Sequence, residues 1–214
     1  MLTFKWFGQA CFGISDGKTI VTDPHDGKSV GLKRPGTKGD IITVSHDHYD
    51  HASGKMLVSK DDTIVVQGMH SGEADSINLE RFQTYHDKVD GDARGRNTIF
   101  KFKLDDVSIC HLGDLGHTLD QETIREIKPV DILMVPVGGK FTVDGDEAAD
   151  VVRALEPQVV IPMHYKVEGL EVPIFGPGRF LNNIGDDYEV TEMEVLELDG
   201  LPEKRMVYVL DCLA

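Results

Sequence analysis

The chain has 214 residues, 40% hydrophobic and 28% charged, which is enough for one folded domain (1–214) with a substantial core and requires no second one. Its net charge of -15 argues against a broad basic surface for nucleic-acid phosphates, and the cations Lys28, Lys33, Arg34 and Lys38 read as a solvated loop. Three widely spaced cysteines, Cys11, Cys110 and Cys212, support neither a disulfide framework nor a Cys-x-x-Cys knuckle, and with no secretion signal or membrane-length apolar run the expected compartment is the cytoplasm.

In chain order, Leu2 to Phe7 alternates as a half-buried strand and Gly8-Gln9 turns it. Phe12-Gly13-Ile14 and Thr19-Ile20-Val21 follow as short strands joined by Asp16-Gly17. Asp23, before Pro24, is either a turn aspartate or a group that orients a metal-ligating histidine. Residues 26–39 read as a loop into the apolar strand Ile41-Ile42-Thr43-Val44.

That strand delivers Ser45-His46-Asp47-His48-Tyr49-Asp50-His51, three imidazoles and the Asp50 carboxylate within six positions. If these residues lie on a loop after the strand, 46 and 48 can point the same way while 50 and 51 reach a neighbouring point. Two adjacent metal ions suit that arrangement better than one. Imidazole and carboxylate together favour zinc, and accommodate manganese or iron. A lone histidine is more often a surface or core residue, but this density points to ligation.

Thr63 to Val66 reads as a strand, Gly68 to Gly72 as a turn containing His70, and Glu80 to Tyr85 as a strand ending at His86. Thr98 to Leu104 and Val107 to His111 form a hairpin through Asp105-Asp106, leading to Gly113-Asp114. Helix and strand then alternate. Thr118 to Gln121 has capping-box spacing before a helix through Ile127, and Asp131 to Pro136 is a buried strand followed by the Gly138-Gly139 turn. Asp144 to Glu147 caps a helix with Ala148, Val151, Val152 and Leu155 on its core face, and Val159 to Met163 is a strand delivering His164. Residues 168–187 read as a loop with one short insert, and Val190 to Leu198 and Arg205 to Leu210 close the chain as strands.

Four strand exits thus carry histidine or aspartate: 46 to 51, His86, Asp114 and His164. His-x-His-x-Asp-His at 46–51, Gly113-Asp114 after a strand, and Val160-Ile-Pro-Met-His-Tyr165 resemble the metallo-β-lactamase-fold superfamily. With Pro136-Val137-Gly138-Gly139 and Phe141-Thr142, they are similar to its small, single-domain metal-dependent hydrolases related to ascorbate 6-phosphate lactonase. The resemblance implies an α+β fold, a four-layer αββα sandwich. It implies that His46, His48 and His86 hold one metal, that Asp50, His51 and His164 hold a second, and that Asp114 bridges them. His70 competes with His86 for the third place. A metal-bridging hydroxide would then cleave a small ester, lactone, amide or phosphoester, with Asp50 as the candidate proton acceptor or orienting group.

Nuclease members of the superfamily usually carry a further domain or basic exosite, and the di-iron oxygen-reducing members carry a flavin domain and a glutamate where this chain has His48. Neither matches. A non-catalytic, metal-dependent small-molecule-binding protein on the same fold is the alternative. His111, three positions before Asp114, faces away if the strand continues; His117, Thr142 and Tyr165 are candidate pocket residues. Specificity is expected on loops 26–39, 138–145 and 168–187.

Overall fold

The computed structural model describes residues 1–69, 74 and 77–214. Alternating apolar residues bury one face of β1 (Leu2–Trp6), which pairs antiparallel with β2 (Phe12–Ser15), itself antiparallel to β3 (Thr19–Thr22). β4 (Gly39–Val44) and β5 (Ser59–Gln67) add in parallel, and β12 (Leu196–Leu198) covers the other edge of this six-stranded sheet. The second, seven-stranded sheet has the order β11-β13-β10-β9-β8-β7-β6: Glu189–Met193, Met206–Leu210, Val159–Met163, Ile132–Pro136, Val107–His111, Arg96–Leu104 and Glu80–Tyr85. Both sheets are mixed, and one apolar core joins Phe4, Trp6 and Ile20 of the first to Ile99, Phe102 and Ile109 of the second.

Helices cover the outer faces. α1 (Tyr49–Ala52) and α2 (Lys55–Val58) place Ala52 and Val58 against Val21, Ile42 and Val44 on the back of the first sheet. α3 (Gln121–Ile127), α4 (Gly145–Leu155) and α5 (Gly178–Asn183) pack together, with α4 against β9. α4 starts with a capping box between Asp144 and Glu147 and buries Ala148, Val151, Val152 and Leu155, as their spacing predicts. The αββα sandwich is therefore observed. Among the described residues no helix is long and apolar enough to cross a membrane.

Several local expectations are corrected. Residues 49–52 form a helical turn where a loop was expected, so Asp50 and His51 project from α1; 55–58, for which the sequence pattern gives no element, form a second turn. The cap of α3 is Asp120, which accepts from the Thr123 N–H; Thr118 lies too far upstream to do so. Val190 to Leu198 is two strands, because a bend at 194–195 carries the chain from the edge of one sheet (β11) to the edge of the other (β12). The 26–39 loop contains a 3-10 turn, Lys28–Val30, whose Val30 packs with Leu170, Val172 and Ile174. His70 and the turn expected at 70–72 lie outside the described residues. The Asp105-Asp106 hairpin is observed, both residues adopting positive φ (51° and 64°) as a tight right-twisted hairpin demands.

The topology decides where polar side chains can meet. β6 is antiparallel to β7 and β7 to β8, while β8, β9 and β10 are parallel, so β6, β8 and β10 all run the same way. His86, Asp114 and His164 leave that sheet at one edge. In the other sheet β3 and β4 are parallel neighbours, and Asp23 and Ser45 leave it side by side.

Candidate metal centre

Asp23 is the first fixed point. Its N–H donates to Thr43 O at 2.8 Å; its Oδ1 accepts from the Ser45 N–H at 2.6 Å. Its Oδ2 accepts from Ser45 Oγ at 2.7 Å and from His51 Nδ1 at 3.1 Å. Ser45 Oγ, its one proton given to Asp23, accepts in turn from His46 Nδ1 at 2.9 Å. One buried carboxylate therefore fixes a proton on Nδ1 of both His46 and His51, and turns the Nε2 of each toward the centre, where a metal would find its lone pair.

Asp114 is the second. Its Oδ2 lies 3.1 Å from His51 Nε2, 3.1 Å from His86 Nε2, 3.2 Å from His164 Nε2 and 4.0 Å from His46 Nε2. His48 joins through Nδ1, 3.0 Å from His46 Nε2. The Asp114 N–H donates to Asn97 Oδ1 at 2.9 Å, and Asn97 Nδ2 donates to Leu112 O at 2.9 Å. Gly113 makes this approach possible: it has φ +56°, and a Cβ there would stand 2.4 Å from Asn97 Oδ1 and 2.7 Å from Ser45 Cβ.

The third is Gln9, wholly buried at the exit of β1. Its Nε2 lies 3.0 Å from Asp50 Oδ2 and 3.2 Å from His164 Nε2, and its carbonyl accepts from the His164 N–H at 3.0 Å. In the sequence pattern Gly8-Gln9 is a turn only. A single polar residue between strands carries no periodic signal; a φ of +48° on a buried, non-glycine residue is what marks it.

All seven residues expected as ligands come together: His46, His48, Asp50, His51, His86, Asp114 and His164. They form three overlapping triads, His46/His48/His86, His46/His51/Asp114 and Asp50/His51/His164, each with donor atoms within 4.8 Å of one another. His111 stays outside these triads, its buried ring 3.0 Å from Ala10 O through Nε2. His117 is occupied by backbone at both nitrogens, Tyr85 N at 3.3 Å and Thr118 O at 2.8 Å. Tyr165, expected near the pocket, is committed to the core, its ring tilted against Trp6 with centroids 4.6 Å apart and its hydroxyl donating to Leu210 O. Thr142 lines a cavity beside His86.

The electrostatics call for positive charge here. Burial alone would raise the Asp114 carboxyl, yet the rings of His164, His51 and His86 hold it well below the usual carboxylate range. Burial opposes a charge on His51, but Asp114 and Asp50 overcome it and hold its pKa well above an ordinary imidazole. Burial and then the neighbouring His51 push His46 well below. Asp50 is lowered against its burial by the His51 ring and, less, by His164. A positive charge is thus favoured on His51 and disfavoured on its neighbour His46. Asp114 Oδ1 and His51 Nε2 are buried with no hydrogen-bond partner among the described residues, a costly state that a divalent cation accepting both would relieve. Nitrogen and carboxylate donors of this kind fit zinc, manganese or iron.

The profile of the beta-lactamase superfamily domain matches residues 3–164. A UPF0173 metal-dependent hydrolase of Thermococcus onnurineus is 30% identical, covering 92% of this chain and all of that one. Another, of Pyrococcus horikoshii, is 33% identical over 89% of this chain and 95% of its own. A solved structure of a metallo-beta-lactamase superfamily protein from Thermotoga maritima is similar with a TM-score of 0.77 and 34% identity over 98% of both chains.

Proposed function

This chain belongs to the beta-lactamase superfamily, among the UPF0173 metal-dependent hydrolases, and from that membership we propose that it hydrolyses a small ester, lactone, amide or phosphoester through two divalent ions, zinc foremost. His46, His48 and His86 would hold one ion, Asp50, His51 and His164 the other, and Asp114 would bridge them. The observation that carries this reading is the gathering of four imidazole Nε2 atoms within 4.0 Å of one buried carboxylate oxygen. When bound, such a pair of ions lowers the pKa of water and polarises the group to be cleaved.

The chain's own residues supply the rest. Asp23, through Ser45 and directly, keeps the lone pairs of His46 and His51 facing inward. Gln9 holds Asp50 at Oδ2, leaving its other oxygen to receive a proton from water and to return it to the leaving group. The three cysteines, none of them bonded to another, suit a reducing compartment such as the cytoplasm.

Elemental analysis tests the reading. The wild type should carry two ions per chain and cleave members of an ester, lactone and phosphoester panel. Asp114→Ala should lose metal from both sites, whereas His111→Ala should keep its metal and lose stability. Equal metal loss in the two variants would overturn the ligand assignment. Two retained ions with no turnover and tight retention of one metabolite would favour the binding-protein alternative.

A further inference from the structure

A cavity of about 310 Å³ opens beside His86, and in a chain of net charge -15 it gathers three cations, Lys88, Arg94 and Lys140. The carboxylates around them are already engaged. Asp87 accepts from four backbone N–H groups, of Val89, Gly91, Ala93 and Arg94. Asp144 caps α4 and pairs with Arg179 at 3.1 Å; Glu147 pairs with Lys88 and completes the capping box. Lys88 is therefore neutralised. Arg94 and Lys140 have no carboxylate partner among the described residues.

These two are also the two that are held in place. The Arg94 guanidinium lies 4.2 Å from the centroid of the Phe141 ring, and the Lys140 ammonium 5.6 Å from the same centroid. The Arg94 N–H is tied to Asp87 at 2.7 Å, directly after His86 in the chain. A guanidinium resting on a ring loses less rotamer freedom when it meets an anion, and its planar fork matches carboxylate and phosphate oxygens in pairs. The site is thus built for an anion at a place where the rest of the surface repels one.

We propose that the substrate carries, apart from the bond to be cleaved, an anionic group, a carboxylate or a phosphate, which Arg94 and Lys140 hold in the cavity beside His86. This rests on the metal-centre reading, which supplies the other anchor. A further cavity of about 480 Å³, sharing Lys140 and Asp144 with the first and bordered by Val137 and Phe175, offers room for the remainder of the molecule.

The test is calorimetric titration of the zinc-reconstituted full chain with α,ω-dicarboxylates from malonate to adipate, with the matching ω-phosphonocarboxylates, and with monocarboxylates of equal length. A monoanion reaches the metal alone; a dianion of the right length reaches both anchors. At one length the dianion should bind at least tenfold more tightly than the monoanion, and Arg94→Gln/Lys140→Gln should abolish that advantage with zinc content unchanged on the same samples. An advantage confined to the carboxylate or to the phosphonate arm names the group. Absence of any dianion advantage, or its survival in the double variant, overturns the inference and leaves the metal centre standing. A chain that takes up no zinc overturns the metal centre itself and this inference with it.

Discussion

Asp23→Asn isolates one function of the centre, the control of imidazole tautomers. The Ser45 N–H is a fixed donor 2.6 Å from Oδ1, so the amide oxygen takes that place and the amide nitrogen replaces Oδ2. There an acceptor becomes a donor, facing the Ser45 hydroxyl and His51 Nδ1, formerly at 2.7 and 3.1 Å. Both can respond. His51 moves its proton to Nε2; the Ser45 hydroxyl turns to donate to His46 Nδ1, which moves that proton to Nε2 as well. Hydrogen bonds are kept in number, so the metal-free protein should lose only about 1–3 kcal/mol. Each flipped ring, however, presents N–H where a metal needs a lone pair. A group behind a single ligand is worth ~10–100-fold in metal affinity, so two rings governed by one carboxylate should together cost ~10²–10⁴-fold, about 2.7–5.5 kcal/mol. Chelator competition measures the affinity, calorimetry the stability, and 15N shifts of the histidine rings the tautomers. Zinc affinity within threefold of wild type, or a loss with both rings still protonated at Nδ1, would refute the relay.

Further outcomes follow from other contacts. Gln9→Leu removes the donor to Asp50 and His164, and should weaken the ion of the Asp50/His51/His164 set by ~10–100-fold while the His46/His48/His86 set keeps its own, read by stepwise zinc titration. The slight burial of Asp87 raises its pKa, but four backbone N–H groups outweigh it and hold it at about 2. Its contribution to stability is therefore present above the ordinary carboxylate pKa of ~3.9 and lost as pH falls toward about 2; the gap in acid stability between wild type and Asp87→Asn should close across that window, and a gap that is constant with pH would contradict it. Burial pushes the Cys110 thiol up to about 12 and Cys11 well above its ordinary value. In the native protein a thiol reagent should therefore titrate Cys212 alone, and all three thiols only after denaturation.

The features legible in the sequence are those whose signal is local and dense. Glu80 to Tyr85 was bounded correctly because β-favouring residues end at a histidine and a turn; the α4 cap was readable because Asp144 and Glu147 stand at capping-box spacing. The 46–51 cluster announced itself by composition. Helices of four residues such as α1 and α2 cannot display a 3.6-residue period, so the mounting of Asp50 and His51 on a helical turn was hidden. The division of Val190 to Leu198 depends on which sheet edge is free to receive each half, a tertiary matter. Gln9 was illegible for the same reason: its partners are 41 and 155 positions away.

The donors around Asp114 come from both sheets: His46, His48, Asp50 and His51 follow a strand of one, while His86, Asp114 and His164 follow strands of the other. The interval between them is therefore set by the thickness of the apolar layer that separates the sheets. Interiors this dense resist compression. The core then behaves as a spacer gauge for ligand geometry, and a smaller apolar side chain in place of Phe102 or Ile20, neither of them a ligand, becomes a way of retuning which ion the protein prefers.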